Sequence, residues 1–192
     1  MSGGFLIRPA YLDDAPVIAE IHERGWQLAY GHFLSPETLA EKSAEKRLAF
    51  WQERIADPAR IVLVGTDAAG AVMGMVYGGP VLEHDLTGGR IDDFASELYI
   101  LHCRAEVQGR GLGKLLTAAL ARRFRDQDAR SLLLWAFTDN QFRVFYDRLG
   151  GEIVAEGRDE GQADIAYGWR DIDALIAACE GATNTAKTAS TA

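Results

Sequence analysis

The pattern of apolar and polar positions divides the chain into a run of strand and helix signals. Phe5–Arg8 is a short apolar run stopped by Pro9, which reads as a first strand. "LDDAPVIAEIHERGWQLAYGHF" then has helical spacing. Asp13 or Asp14 is placed to cap it, Pro16 falls in its first turn, and Val17, Ile21 and Leu28 keep the spacing of a core face. His22, Trp26 and Tyr30 recur every four residues on the next stripe, and Gly31 ends the helix. Ser35-Pro36-Glu37 opens a second helix. A third begins near Ser43, directs Leu48, Trp51 and Ile55 inward, and stops at Asp57-Pro58.

"RIVLVGTD" and "AVMGMVYGG", joined at Ala69-Gly70, form an expected antiparallel hairpin. "PVLEHDLTGGRIDD" reads as a polar loop. "SELYILHC" has the near-continuous hydrophobicity of a strand buried on both faces. "VQGRGLGK", Val107–Lys114, carries three glycines at alternate positions and runs into an amphipathic helix over Leu112–Arg125. "SLLLWAFT" is a further strand, and "NQFRVFYDRLG" a short helix closed by Gly150-Gly151. "GEIVAEG" and "ADIAYGWR" form a last hairpin, followed by a short helix in "DIDALIAA". From Gly181 the residues are small and polar, so residues 181–192 are expected to be a disordered tail behind a single domain over 1–180. The expected class is α/β, with a parallel strand–glycine loop–helix–strand crossover in the middle.

Charge and cysteine content narrow the function. The formal net charge of the 192 residues is −8, which argues against nucleic acid or an anionic membrane as partner. It suits a cationic substrate and ordinary solubility equally. Cys103 and Cys179 are far apart and fit no CxxC spacing, so neither a disulfide nor a zinc site is expected and no metal is implied. That usage fits a reducing, cytoplasmic compartment. There is no basic segment followed by a long apolar run at the start, and no apolar stretch nears the roughly 18 residues of a membrane span.

The glycine loop is the strongest chemical signal. A Walker loop needs glycine where Gln108 stands and Ser or Thr where Leu115 stands. A dinucleotide fingerprint needs glycine or alanine in place of Lys114 and belongs after a first strand, whereas this loop follows the fourth expected one. What remains is geometry. Gly109, Gly111 and Gly113 expose backbone N–H groups, the helix from Leu112 adds the positive end of its dipole, and Arg110 and Lys114 add charge. Such a loop holds a pyrophosphate without metal, or is a turn that lets strand and helix pack closely.

Gln108-Gly109-Arg110-Gly111-Leu112-Gly113 resembles the Q/R-x-x-G-x-G/A signature of the GNAT superfamily, the Gcn5-related N-acetyltransferases. "ELYILHCRAEVQGRGLGKLL" is similar to that family's fourth strand, loop and following helix, and "NQFRVFYDRLGG" to its N-x(4)-F-Y segment. "ERGWQLAYGHF" resembles the opening helix of a bacterial subgroup with a W-x-x-A-Y element. The resemblance spans roughly Phe5–Arg170. It departs at Cys103 and Ala105, where the family often has Val and Pro, and at Gly151, where it has Phe.

The resemblance implies a mostly antiparallel sheet of about seven strands flanked by helices, with acetyl-CoA as co-substrate and an amine as acceptor. It implies cofactor contacts at Leu101, Cys103, the loop Gln108–Lys114 and Asn140, and a possible homodimer. Tyr146 is then the acid for the leaving thiolate, against the alternative of a buried aromatic with a hydrogen-bonded hydroxyl. Asn140 contacts the cofactor arm, or caps the helix that follows. Glu97 is the candidate base, since a carboxylate on a buried strand is costly unless used or paired; exposure at the strand's start, or pairing with an arginine, is the other reading. Trp26 and Tyr30 border the acceptor, or belong to the core. The acidic loop around Glu83-His84-Asp85 and Asp92-Asp93 attracts a cationic amine, binds a metal, or is simply solvated. An acyl-CoA sensor without turnover is the alternative function.

Overall fold

The computed structural model describes residues 4–159 and 161–188, with side chains omitted over 182–188. In chain order the elements are β1 (Leu6–Pro9), α1 (Ala15–Tyr30), α2 (Pro36–Glu41), α3 (Ala44–Ala56), β2 (Ile61–Thr66), β3 (Val72–Gly79), β4 (Leu86–Gly89), β5 (Ser96–Cys103), α4 (Leu112–Asp126), β6 (Leu132–Phe137), α5 (Val144–Arg148), β7 (Glu152–Asp159), β8 (Gln162–Trp169) and α6 (Ile172–Thr188). Among the described residues the strands form one eight-stranded sheet in the order β1-β2-β3-β5-β6-β8-β7-β4. The β5–β6 pair is parallel and the expected crossover is present; the hairpins β2–β3 and β7–β8 are antiparallel. None of the described helices is long and apolar enough to cross a membrane.

The eighth strand is β4, which the sequence reading took as loop. Its residues, Leu-Thr-Gly-Gly, carry no apolar alternation. It pairs at the sheet's edge with β7 through Leu86↔Gly157, Gly88↔Glu156 and Gly89↔Ala155, with an irregularity between Leu86 and Gly88. Backbone pairing rather than side-chain burial makes it a strand, so pattern could not reveal it. At the other end, α6 runs to Thr188, past Gly181, where the expected tail begins. The last four residues of that expected tail, 189–192, lie outside the described residues.

The chain divides into two compact units, Met1–Gly78 with Ile100–Leu116, and Gly79–Tyr99 with Thr117–Ala192. In the first unit α1 and α3 pack together. The buried side of α1 is Ala15, Ile18, Ala19, Ile21, His22 and Ala29. Val17 is only half-buried and Leu28 is exposed, so the core stripe is rotated from the expected one. Small alanines admit the neighbouring helix more closely than the larger side chains would. Trp51 on α3 is fully buried, with its ring edge-on to His22 at 5.3 Å and to Tyr77 at 5.5 Å. Arg8 clamps Asp14 with two hydrogen bonds, of 2.6 and 2.9 Å, and Tyr11 N donates to the same carboxylate at 2.7 Å. The Arg8 bonds hold Asp14 below the usual carboxylate range against the opposing effect of burial, and fix the entry into α1.

In the second unit, alternation on β6 sends Leu133 and Trp135 to one face of the sheet. A core of Ile91, Phe94, Leu133, Ala155 and Ala166 forms there, with Val81, Trp135 and Val154 at its margin. The segment over 80–94, apart from β4 in the sheet itself, thus covers that face with Val81, Ile91 and Phe94. Trp51→Ala removes the largest fully buried side chain of the first unit. It is expected to cost about 3–5 kcal/mol, read as a lower urea midpoint with an unchanged slope.

Candidate active site

The glycine turn of the first unit has the backbone its sequence requires. Gly109 and Gly111 have φ of +74° and +89°, and a Cβ at either would meet nothing within 4 Å. These glycines are needed for their conformation, and the space beside them is open. The bond from Leu115 N to the Gly111 carbonyl marks the start of α4, so its first-turn N–H groups point out of the helix end. Leu112 is buried and anchors the turn; Gln108 is exposed, with its amide nitrogen 3.3 Å from the Cys103 carbonyl. The Arg110 guanidinium stacks over Phe5 at 5.5 Å, and Lys114 is half-buried. Leu101 is half-buried on β5. Burial pushes the Cys103 thiol up to about 12, so it is not a ready nucleophile.

A cavity of about 380 Å³ opens in the same unit, lined by Gly25 and Leu28 of α1 and by Cys103–Glu106 ahead of the turn. Gly25 is required at its wall, because a Cβ there would lie 2.3 Å from His102 Nδ1. His102 stacks on His22 at 5.7 Å. Burial holds both imidazoles low, His22 at about 2 and His102 at about 4, so both are neutral at physiological pH. Trp26 packs edge-on to Tyr30 at 4.8 Å and carries the Lys42 ammonium over its ring at 4.3 Å. The stripe His22–Trp26–Tyr30 is thus a continuous aromatic ladder, buried at His22 and half-buried at the other two.

In the second unit Glu97 is 2 % exposed. It pairs with no arginine. Its Oε2 accepts from Leu82 N at 2.9 Å, and His84 Nε2 lies 3.0 Å from Oε2 and 3.1 Å from Oε1. An ionised carboxylate only accepts, so Nε2 bears the hydrogen in that state. The His84 ring lies against Trp135 at 4.7 Å. Ser131 fixes the strand start that carries Glu97: its hydroxyl accepts from Ala95 N and donates to the Asp93 carbonyl, and Ser96 Oγ donates to its carbonyl. Strand pairing between β5 and β6 is limited to Ser96–Leu98 with Leu132–Leu134, although β6 continues to Phe137.

Tyr146 sits on α5, half-buried, with its ring 5.6 Å from that of Tyr167. The Tyr167 hydroxyl donates to Asp147 at 2.8 Å and faces Arg143 Nε at 3.4 Å. Asn140 is buried, and its side-chain oxygen accepts from Phe142 N at 2.9 Å. It therefore starts the turn ahead of α5, while Arg143 occupies the cap position of that helix. Tyr167 pairs with Leu134, and Glu97 with Leu133, its neighbour on β6. By strand alternation Glu97 and the Tyr146–Tyr167 pair stand on opposite faces of the sheet.

Sequence reasoning missed four residues here. His84 was noticed only as part of an acidic loop, and its pairing with Glu97 across thirteen positions has no local signature. Trp135 was read only as part of a strand. Tyr167 and Asp164 lay in a hairpin read only for its alternation. Asp164 is 6 % exposed; burial first, and then the neighbouring Asp159, push it up to about 6, with His84 opposing.

Several known proteins resemble this geometry and sequence. The model of the FR47-like protein family matches residues 72–158, from β3 through β7. A Bacillus subtilis (strain 168) protein named uncharacterized N-acetyltransferase YuaI is 26 % identical over 173 residues, 88 % of this chain and 95 % of that one. PaiA N-acetyltransferase of Thermoplasma acidophilum, solved in complex with coenzyme A, superposes with a TM-score of 0.65 at 17 % identity, over 86 % of this chain and 99 % of that one. A GCN5-related N-acetyltransferase from Rhodopseudomonas palustris gives 0.65 at 20 % identity, over 85 % and 93 %. YncA of Salmonella typhimurium, solved with its cofactor acetyl-CoA, gives 0.62 at 19 % identity, over 88 % and 95 %.

The fold is the GNAT fold. In it, β5, the glycine turn and α4 of this chain correspond to the strand, loop and helix on which the sequence resemblance rested, and the extra edge strand β4 accounts for eight strands in place of seven.

Asp164 supplies a test of the second unit's electrostatics. A carboxyl whose folded value is raised stabilises the protein below its unfolded value, near 4, and that contribution disappears as pH rises to about 6. Asp164→Asn is expected to remove this decline. The difference in urea midpoint between variant and parent should therefore shift in the variant's favour between pH 4 and pH 6.5, and a difference independent of pH would contradict the assignment.

Proposed function

We propose that this protein is an acetyl-CoA-dependent N-acetyltransferase that acylates an amine, either a small molecule or an amino group of a larger one. The observation that carries the reading is the turn at Gly109–Gly111. Two left-handed glycines open directly onto the first turn of α4, with open space where their side chains would be. This arrangement suits a pyrophosphate held by backbone N–H groups and a helix dipole. The residues thus fit the phosphates of coenzyme A without a metal: Gln108, Gly109, Arg110, Gly111, Leu112, Gly113 and Lys114 around the phosphates, Leu101 and Cys103 through backbone groups toward the pantetheine arm, and Asn140 toward the same arm.

Acetyl transfer to an amine requires a neutral nucleophile, a stabilised oxyanion and a proton for the departing thiolate. Glu97 is the proposed base. Its carboxylate is buried, oriented by two donors, and free of the permanent charge that an arginine partner would impose. Tyr146 is the proposed acid, since a phenol can protonate a thiolate forming beside it, and it would act from the opposite face of the sheet to Glu97. Trp26 and Tyr30 are proposed to border the acceptor, and their aromatic faces suit an ammonium, as Lys42 over Trp26 illustrates. Direct attack within a ternary complex is favoured over a covalent route because the Cys103 thiol is strongly disfavoured as a thiolate.

Calorimetry with acetyl-CoA, CoA, ATP and NAD tests the first step. Binding of acetyl-CoA and CoA with ATP and NAD silent is expected, and silence toward acetyl-CoA would end the reading. Tyr146→Phe should then keep acetyl-CoA affinity while lowering kcat about tenfold or more, the range of acid catalysis; an unchanged kcat would remove Tyr146 from the chemistry.

A further inference from the structure

Glu97 is held by one partner that cannot change, Leu82 N, and by one that can, His84. The difference matters because a base must be stable in two protonation states. As a carboxylate Glu97 needs donors; as a carboxylic acid it becomes a donor itself. Arginine or lysine in place of His84 would only donate, and would favour the charged form throughout. Imidazole can donate from Nε2 in one tautomer and accept at the same atom in the other. The two side chains also differ in access to water: that of Glu97 is 3 % exposed and that of His84 is 20 % exposed. Trp135 packs against the imidazole from one side at a 30° tilt, so the ring is positioned by packing as well as by its hydrogen bond.

We propose that His84 is the proton outlet of Glu97, a positioning residue that acts through the carboxylate and connects it to solvent. The proposal rests on the acetyltransferase reading. In the first step Glu97 removes a proton from the acceptor's ammonium: an N–H bond breaks, its electron pair stays on nitrogen, and an O–H bond forms. With Glu97 protonated, His84 exchanges its Nε2–H tautomer for the Nδ1–H tautomer through solvent, losing the Nε2 proton to water and gaining one at Nδ1 from water. The Glu97 acid passes its proton to the vacated Nε2 lone pair, and the imidazolium releases its Nδ1 proton to water, which restores the carboxylate and the Nε2–H tautomer and delivers one proton to solvent. The charged group that faces His84 is Asp164 on β8, which also feels Asp159 at the end of β7 and Asp85, the residue next to His84 in the chain.

Two measurements test the proposal. On the free protein, ring ¹⁵N chemical shifts should find His84 in the Nε2–H tautomer at pH 7.5, and Glu97→Gln should abolish that preference. A tautomer indifferent to Glu97→Gln breaks the pair and overturns the proposal whatever the protein's activity. For turnover, CoA thiol release is followed with n-butylamine, tyramine and lysine amide as probes. His84→Ala should lower kcat at least tenfold with the KM for acetyl-CoA unchanged, and millimolar imidazole should restore the rate in proportion to its concentration. His84→Gln keeps a donor for the loop but cannot carry a proton, so it should fold and remain slow. A His84→Gln enzyme at the parental rate, or a His84→Ala enzyme insensitive to imidazole, would reduce His84 to a packing residue. Absence of turnover in the parent with every probe, alongside binding of acetyl-CoA and an intact tautomer effect, would instead overturn the transferase reading and the outlet role that depends on it.

Discussion

A carboxylate on the buried face of a central strand is the constraint on which the second unit depends. Burial of an unpaired charge costs several kcal/mol, so Glu97 requires donors. The sheet cannot supply them, because backbone groups of neighbouring strands are committed to pairing. They come from outside it, from Leu82 N and His84. The segment over 80–94 is therefore more than a connection between β3 and β5. It brings His84 onto Trp135, seats Ile91 and Phe94 in the core, and forms β4 against β7. Leu82 lies in neither a strand nor a helix, so its N–H is not committed to either ladder and serves the carboxylate.

The first unit is organised by a backbone constraint instead. The positive φ at Gly109 and Gly111 turns the chain so that α4 begins directly after the turn, and buried Leu112 fixes where that beginning stands. Side-chain charge is secondary: Arg110 is engaged with Phe5, and the chain as a whole is acidic. Under the proposed function, recognition by backbone and dipole would let a chain of net charge −8 suit a polyanionic cofactor.

These two constraints were unequally visible in the sequence. The glycine turn was legible because left-handed backbone restricts residue type, so three alternate glycines followed by an amphipathic helix specify a local geometry. The long hairpins and α4 were legible through period alone. The α1 stripe was misjudged, since small alanines carry little hydrophobic signal yet admit the closest packing, and Leu28 is exposed instead. β4 was missed because its strand character lies wholly in the backbone. Glu97 was identified as a buried carboxylate in need of a partner, and the partner's identity was not legible: His84 is thirteen residues away along an irregular segment, and nothing in local spacing connects them.

Within the second unit, Glu97 stands where β5 is most tightly held. It is the second residue of the strand, in the stretch Ser96–Leu98 that pairs with Leu132–Leu134 of β6, and Ser131 ties the same strand start through Ala95 N and Ser96 Oγ. A carboxylate set on a paired strand needs no loop to fix its position, so less conformational entropy is lost in orienting it. The paired start of β5 thus bears the electrostatic cost of Glu97, and the donors that offset it come from Leu82 N and His84.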